Sequence, residues 1–143
     1  MRKTPAPGIL VMLLALVCVA GGCAMFTRGP SDRDLLSELL HKYETALTEG
    51  DTDALVSLYS EDYESFDGTN YEESMARLRR IVPTIKELDV KVNAAETQVH
   101  IEGGTATLSP IVFDTPGGEM ILTMSATKNA EGVWLVSGSE MER

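Results

Sequence analysis

The sequence contains few cysteines and few basic residues, and each shortage argues against a class of site or partner. Its two cysteines, Cys18 and Cys23, both lie near the amino terminus, so the rest of the chain can form neither a disulfide nor a thiolate zinc site. Twelve Lys and Arg residues stand against 22 Asp and Glu, which gives a formal net charge of −10. Because such a surface repels phosphate backbones, we expect no nucleic-acid partner.

Histidine and long apolar runs are also scarce. His41 and His100 stand far apart without supporting ligands, so we predict no metal site and no cofactor. The apolar run at residues 9–20 is too short to cross a bilayer as a stable helix. Since Arg2 and Lys3 precede it, the run is typical of a signal-peptide core.

The run ends in the tetrapeptide 20–23, Ala-Gly-Gly-Cys, which resembles a bacterial lipobox. In such a sequence the cysteine becomes the lipidated first residue after cleavage. Cys18 follows the bulky Leu16 and Val17, which would obstruct cleavage, so we interpret it as part of the signal core. Ordinary secretion and an uncleaved anchor are the alternatives for this segment.

The lipobox divides the chain into a signal peptide at residues 1–22, a lipidated tether at 23–30 and a domain at 31–143. Loss of the signal peptide removes two basic residues and changes the formal net charge from −10 to −12. Lipid on Cys23 would anchor the protein to a membrane, because two or more acyl chains bind a bilayer far more firmly than one. We therefore expect a bacterial cell-envelope protein that faces the periplasm or the exterior. Both the outer and the cytoplasmic membrane are open as its location.

The domain begins with helices. Ser31 is a typical N-cap, and the apolar residues that follow it share one face of a helix. This helix is expected to end near Glu49, because Gly50 is suited to the position just after a helix. Asp51 can cap a second, short helix that carries Tyr59.

A third helix is predicted from Asn70, which can cap it together with Glu73. Pro83 is expected to end or bend this helix near Val82. From Leu88 onward the apolar period changes to two, which indicates β-structure. Glycine-rich turns divide the rest into strands near 97–102, 105–114, 119–128 and 133–141. Helices followed by an antiparallel meander define an α+β order.

The segment 43–62, with its Gly-Asp corner, resembles the opening of the nuclear transport factor 2-like superfamily. Residues 132–136, Gly-Val-Trp-Leu-Val, resemble the last strand of that superfamily. The resemblance implies a cone-like fold, in which a curved antiparallel sheet wraps the N-terminal helices and leaves a pocket at the wide end. Members include isomerases, polyketide cyclases, dehydratases and binding modules, so the fold does not decide the activity.

A more detailed resemblance is to ketosteroid isomerase, a member of this superfamily. When its Tyr-x-x-Ala-Leu-x-x-Gly-Asp pattern is laid on this sequence, the hydrogen-bonding tyrosine falls on Tyr43 and the general base on Asp67. The acid that forms the third member of the family's site has no counterpart near residues 123–125. Without a catalytic role, Tyr43 would be a core residue and Asp67 would form a turn with Gly68.

Three further residues are candidates for the wall of a pocket: Tyr59, Met124 and Trp134. Trp134 is most simply a core anchor of the last strand, and the methionine is most simply a residue that fills gaps in the core. Arg77 is interpreted as part of a solvated helix face, where it can pair with Glu73 four residues earlier.

We expect a membrane-anchored module that binds a small hydrophobic ligand or an envelope protein. The alternative is a small enzyme that acts on a hydrophobic carbonyl compound, with Asp67 as the base and Tyr43 as the hydrogen-bond donor. In a third interpretation the open face of the sheet forms a homodimer.

Overall fold

The computed structural model describes residues 29–142, and within them it contains three helices and six strands. The helices are α1 (Asp32–Glu49), α2 (Thr52–Val56) and α3 (Tyr71–Glu87). The strands are β1 (Tyr59–Ser65), β2 (Lys91–Asn93), β3 (Gln98–Glu102), β4 (Thr105–Thr115), β5 (Gly118–Lys128) and β6 (Trp134–Glu142). Helices that pack on one curved sheet confirm the predicted α+β class.

Helix α1 has the bounds that the sequence predicted, because both of its ends are capped. The Asp34 amide donates to Ser31 Oγ at 3.2 Å, and the Ser31 amide donates to Asp34 Oδ2 at 3.0 Å. Gly50 closes the other end in a left-handed conformation, with a φ of 69°, which side chains disfavour. The predicted apolar face is buried, and His41 on the opposite side is exposed.

The second helix is shorter than predicted, since Tyr59 begins strand β1 instead of continuing α2. Strand β1 pairs in parallel with β6, and the Val136 amide donates to the Leu58 carbonyl at 2.8 Å where the pairing starts. The partner strand lies at the far end of the chain, and the local spacing of apolar residues carries no information about such a distant pairing.

Helix α3 begins after the Asn70 cap as predicted, but it continues through Pro83 to Glu87. Proline cannot donate to the carbonyl four residues earlier, which belongs to Arg79. Both Pro83 and Arg79 are exposed, so water can satisfy that carbonyl and the helix need not end.

The strand expected from Leu88 begins three residues later, at Lys91. Leu88 is the C-cap of α3, and its amide donates to the Thr84 carbonyl at 2.9 Å. The end of helix α3 and the turn after it therefore occupy residues 88–90, where the alternation of apolar and polar residues had predicted the start of a strand.

The strands form one sheet in the order β1-β6-β5-β4-β2, with β3 also paired to β4. The pairings from β2 to β6 are antiparallel, which confirms the predicted hairpins, and the parallel edge strand β1 adds to them. The register shifts between Leu108 and Ile111 in β4 and between Ser125 and Ala126 in β5. Such irregularities increase the local twist, which helps the sheet to curve around α1.

The core lies between the helices and the inner face of the sheet, where alternate strand residues are buried. Its largest fully buried side chains are those of Leu36, Leu47, Leu55, Val82, Leu108, Ile111, Met124 and Val136. Every layer contributes to this set, so one continuous core holds helices and sheet together.

The predicted signal peptide, Cys23 and most of the predicted tether lie outside the described residues. Within residues 29–142, no helix combines the length and the apolar character needed to cross a bilayer.

Candidate functional site

The core opens into a cavity near the end of strand β6. Its volume is about 370 Å³, and its walls come from α1, α3 and strands β1, β4, β5 and β6. Most of the wall is apolar and includes Leu78, Phe113 and Leu122. This volume falls within the range of about 300–1,000 Å³ that is usual for small-molecule sites.

Large apolar side chains surround the mouth of this cavity. Phe66 is 67% exposed, Ile81 41% and Met141 40%, and all three belong to the cavity lining. Exposed apolar groups gathered at one opening are unfavourable in water unless a ligand or partner covers them. The mouth therefore suits a guest that is itself largely apolar.

A larger surface groove, of about 750 Å³, runs along β1 and the beginning of α3. It is open to solvent and is lined by acidic residues, including Glu61, Asp62 and Glu72. Because it buries little apolar surface, it is a weaker candidate for a small-molecule site than the apolar cavity.

Three tyrosines form one side of the cavity. The ring centroids of Tyr43 and Tyr59 are 6.4 Å apart, and those of Tyr59 and Tyr63 are 5.0 Å apart in an edge-on arrangement. Burial raises the pKa of Tyr43 to about 12, and a hydrogen bond with Tyr59 offsets this in part. Burial likewise raises the pKa of Tyr59. Both phenols therefore stay protonated at neutral pH. Since the hydrogen bond between them uses one of the two protons, the pair can donate one hydrogen bond to a ligand.

Arg77, from helix α3, carries the only charge among the residues that line the cavity. Its Nη1 donates to Asp67 Oδ2 at 3.2 Å, and its Nη2 donates to Thr69 Oγ1 at 3.5 Å. The sequence predicted a different partner, Glu73, on the same helix. The structure instead pairs Arg77 with the turn before α3, so its side chain both lines the cavity and contacts that turn.

Asp67 is not among the residues that line the cavity. It lies in the turn where Gly68 has a φ of 78°, and its Oδ1 accepts from the Thr69 amide at 3.1 Å and from the Thr69 hydroxyl. These hydrogen bonds, together with that from Arg77, lower the pKa of Asp67 to about 2. The structure therefore places Tyr43 in the cavity wall and the Asp67 carboxylate in an exposed turn, and does not bring the two together inside the cavity.

Of the three residues predicted for a pocket wall, Tyr59 lines the cavity, whereas Met124 and Trp134 are not in its lining. Met124 is fully buried in the core. Trp134 lies at the other end of β6, where its Nε1 donates to Asp32 Oδ1 at 3.0 Å. Its ring thus packs the beginning of α1 against the sheet, in keeping with the role of a core anchor.

Arg77 is the charged site residue that the sequence interpretation missed. Ser74, Leu78, Ile81 and Ile85 of α3 all line the cavity, and Arg77 lies on the flank of this same helical face. The spacing of three or four residues along the helix was the available signal. It was overlooked because an arginine on a helix is usually assigned to the solvated side.

The described residues, from 29 to 142, contain no group of three or more His, Cys, Asp or Glu side chains placed to hold a metal ion.

No family model matches the chain, and no curated protein sequence matches it. Solved structures do match. Bd1075 from Bdellovibrio bacteriovorus is 14% identical with a TM-score of 0.61, and the alignment covers 75% of this chain but only 40% of that one. An NTF2-like protein with a cystatin-like fold from Novosphingobium aromaticivorans is 19% identical with a TM-score of 0.60, covering 95% of this chain and 90% of that one. A "putative ketosteroid isomerase" from Shewanella frigidimarina is 13% identical with a TM-score of 0.60, covering 76% and 94%.

Identities this low establish a shared fold and nothing more. The chain therefore has the NTF2-like, or cystatin-like, fold that the sequence resemblance implied. This fold is compatible with ligand binding and with isomerase-type chemistry, so the choice between them rests on the site.

Proposed function

We propose that this NTF2-like domain binds a small, largely apolar molecule in the cavity at the end of β6. The observation that supports the proposal is the cavity itself, with its volume of about 370 Å³, its apolar walls and its opening between Phe66, Ile81 and Met141. An apolar guest would remove both the walls and the exposed rim from water, which is favourable at about 25 cal/mol per Å² of apolar surface.

The polar groups of the cavity would orient such a guest. Tyr43 and Tyr59 lie in the wall and stay protonated, and the one phenolic proton that their mutual hydrogen bond leaves free can be donated to a carbonyl or hydroxyl oxygen. A few placed donors in an otherwise apolar wall are the usual basis of ligand specificity.

The enzyme hypothesis keeps one supporting observation, the protonated Tyr43 in the cavity wall. The pKa of Asp67 argues against the enzyme hypothesis. A carboxylate with a pKa of about 2 is a poor proton acceptor at neutral pH, and a general base is most effective when its pKa is near the working pH. We therefore favour binding over catalysis.

The membrane anchor at Cys23 also belongs to the proposal. It is supported by the basic start, the short apolar run and the lipobox-like tetrapeptide at residues 20–23. In this proposal the lipid holds the domain at a membrane of the bacterial cell envelope, and the cavity carries the binding function.

A pair of matched variants tests the binding function. Leu78→Trp should fill the cavity, because Leu78 is part of its wall, whereas Ala76→Trp adds the same ring to an exposed position of the same helix. We expect equilibrium dialysis of the full-length protein against radiolabelled 1-decanol to show binding by the wild type and by Ala76→Trp, and its loss in Leu78→Trp. Thermal melting should confirm that both variants are folded, since overpacking costs about 1–3 kcal/mol. Equal binding by the two folded variants would refute the cavity as the binding site.

A further inference from the structure

The position of Arg77 indicates the chemical class of the ligand more narrowly than the apolar walls do. Its side chain is 49% exposed and also belongs to the cavity lining, so Arg77 lies where the cavity meets solvent. Its neighbours along α3, Leu78 and Ile81, line the apolar interior and the rim. The cavity thus has an apolar inner part and one positive charge at its mouth.

The guanidinium keeps hydrogen-bonding capacity for a ligand. It has five N–H donors, and the contacts described above direct one to Asp67 and one to Thr69. Asp67 in turn uses its other oxygen for the Thr69 amide and hydroxyl, and it lies outside the cavity lining. Arg77 is therefore the charged group that a ligand in the cavity can contact directly.

We infer that the ligand is a single-chain amphiphile with one anionic headgroup, such as a carboxylate, and that Arg77 binds this headgroup while the apolar chain fills the cavity. This inference rests on the proposed binding function and adds the chemical class of the ligand. Guanidinium and carboxylate match geometrically, because two parallel N–H groups can donate to the two carboxylate oxygens.

The volume of the cavity supports one chain of moderate length. A water molecule occupies about 30 Å³ in the liquid, so the cavity has room for roughly a dozen groups of that size. A methylene group is of similar size. A chain of about ten carbons fits this space, and decanoate is a suitable probe.

Asp67 does not prevent this binding. Its ion pair with Arg77 is half exposed, and pairs of that kind are weak because water screens them. A ligand carboxylate can share the guanidinium with Asp67 or displace it. In this interpretation Asp67 is a positioning residue that holds Arg77 at the mouth of the cavity while the site is empty.

The test compares two probes that differ only in the headgroup, radiolabelled decanoate and radiolabelled 1-decanol. Equilibrium dialysis of the full-length protein at physiological ionic strength should show that the wild type binds decanoate more tightly, on the order of tenfold, as expected for a charge-assisted hydrogen bond. Arg77→Met should lose this preference, so that it binds the two probes about equally. Arg80→Met removes an exposed arginine of the same helix and should keep the preference.

The results distinguish a failure of the anionic headgroup from a failure of the binding site itself. If the wild type binds both probes equally, or if Arg77→Met still prefers decanoate, the anionic headgroup is wrong and the apolar binding function stands. If Leu78→Trp and Ala76→Trp bind 1-decanol equally, the cavity is not the site and both proposals fall.

A second substitution covers the case in which Arg77→Met does not fold. Arg77→Lys keeps the charge but loses the two-pronged geometry, so it should keep part of the preference for decanoate. A folded Arg77→Lys variant that shows no preference at all for the anion, beside a wild type that does, would assign recognition to guanidinium geometry. The same preference in Arg77→Lys as in the wild type would assign it to charge alone and would overturn the two-pronged contact.

Discussion

The Asp67 carboxylate and the Arg77 guanidinium link a turn to the wall of the cavity. One oxygen of Asp67 closes the turn through the Thr69 amide, and the other accepts from Arg77. All of these contacts favour the ionised carboxylate, which is why its pKa falls to about 2. At the residue scale, Asp67 is better suited to hold a neighbour in place than to remove a proton from a substrate.

Replacement of Asp67 by Asn should therefore preserve folding, ligand binding and cellular function. Asparagine keeps an oxygen for the Thr69 amide and tolerates the turn, while the loss of the negative charge leaves Arg77 more available to an anion. We expect Asp67→Asn to fold, to complement a deletion of the gene and to bind decanoate at least as tightly as the wild type. A general base contributes about 10²–10⁴-fold to a rate, so a folded variant that fails to complement would favour the enzyme hypothesis.

The same variant should change the response to acid. The folded-state pKa of Asp67, about 2, lies below its ordinary value of 3.8, so its contribution to stability is present above about pH 4 and is lost as the pH falls toward 2. Asp67→Asn lacks this contribution at every pH. The difference between the urea midpoints of wild type and variant should therefore shrink between about pH 4 and pH 2. A constant difference across that window would contradict the assigned hydrogen bonds.

At the scale of elements, helix α1 should show a sharp contrast between its two sides. Leu39 is 5% exposed and Leu47 is 1% exposed, whereas His41 is on the exposed side. Leu39→Ala and Leu47→Ala should each lower the free energy of unfolding by about 2–5 kcal/mol, the range for a truncated core residue. His41→Ala should change it by about 0–0.5 kcal/mol.

Urea unfolding of the three variants measures this contrast. Leu47 also lines the cavity, so its truncation enlarges an existing space and can tighten the binding of a longer chain than decanoate. A loss of stability in His41→Ala equal to that in either leucine variant would show that the buried face of α1 is misassigned.

At the scale of the whole molecule, the proposed anchor and the folded domain are separate. The buried core begins at Leu36, beyond the predicted tether. Cys23→Ser should therefore move the protein from the membrane fraction to the soluble fraction without changing its melting temperature. Cys18→Ser is the matched control and should stay with the membrane. Unchanged fractionation of Cys23→Ser would count against the lipobox.

Local patterns in the sequence were sufficient for most of the fold. The caps at Ser31 and Asn70 and the stop at Gly50 each depend on residues within a few positions, so they could be read directly from the chain. The same is true of the hairpins from β3 to β6, in which turn residues and strand alternation are adjacent in sequence. The position of Tyr43 on the buried face of α1 followed from helical periodicity alone.

Only the tertiary structure decided which residues form the site. Strand β1 exists because β6, from the far end of the chain, supplies its hydrogen bonds, and this pairing places Tyr59 and Tyr63 in the cavity wall. The direction of Arg77 depends on a turn ten positions earlier, and the indole of Trp134 donates to Asp32 in the first helix. The β1–β6 pairing and the Trp134–Asp32 hydrogen bond join residues that meet only after the sheet has packed on the helices. No local periodicity encodes these contacts. The sequence therefore predicted the fold more accurately than it predicted the residues that line the cavity.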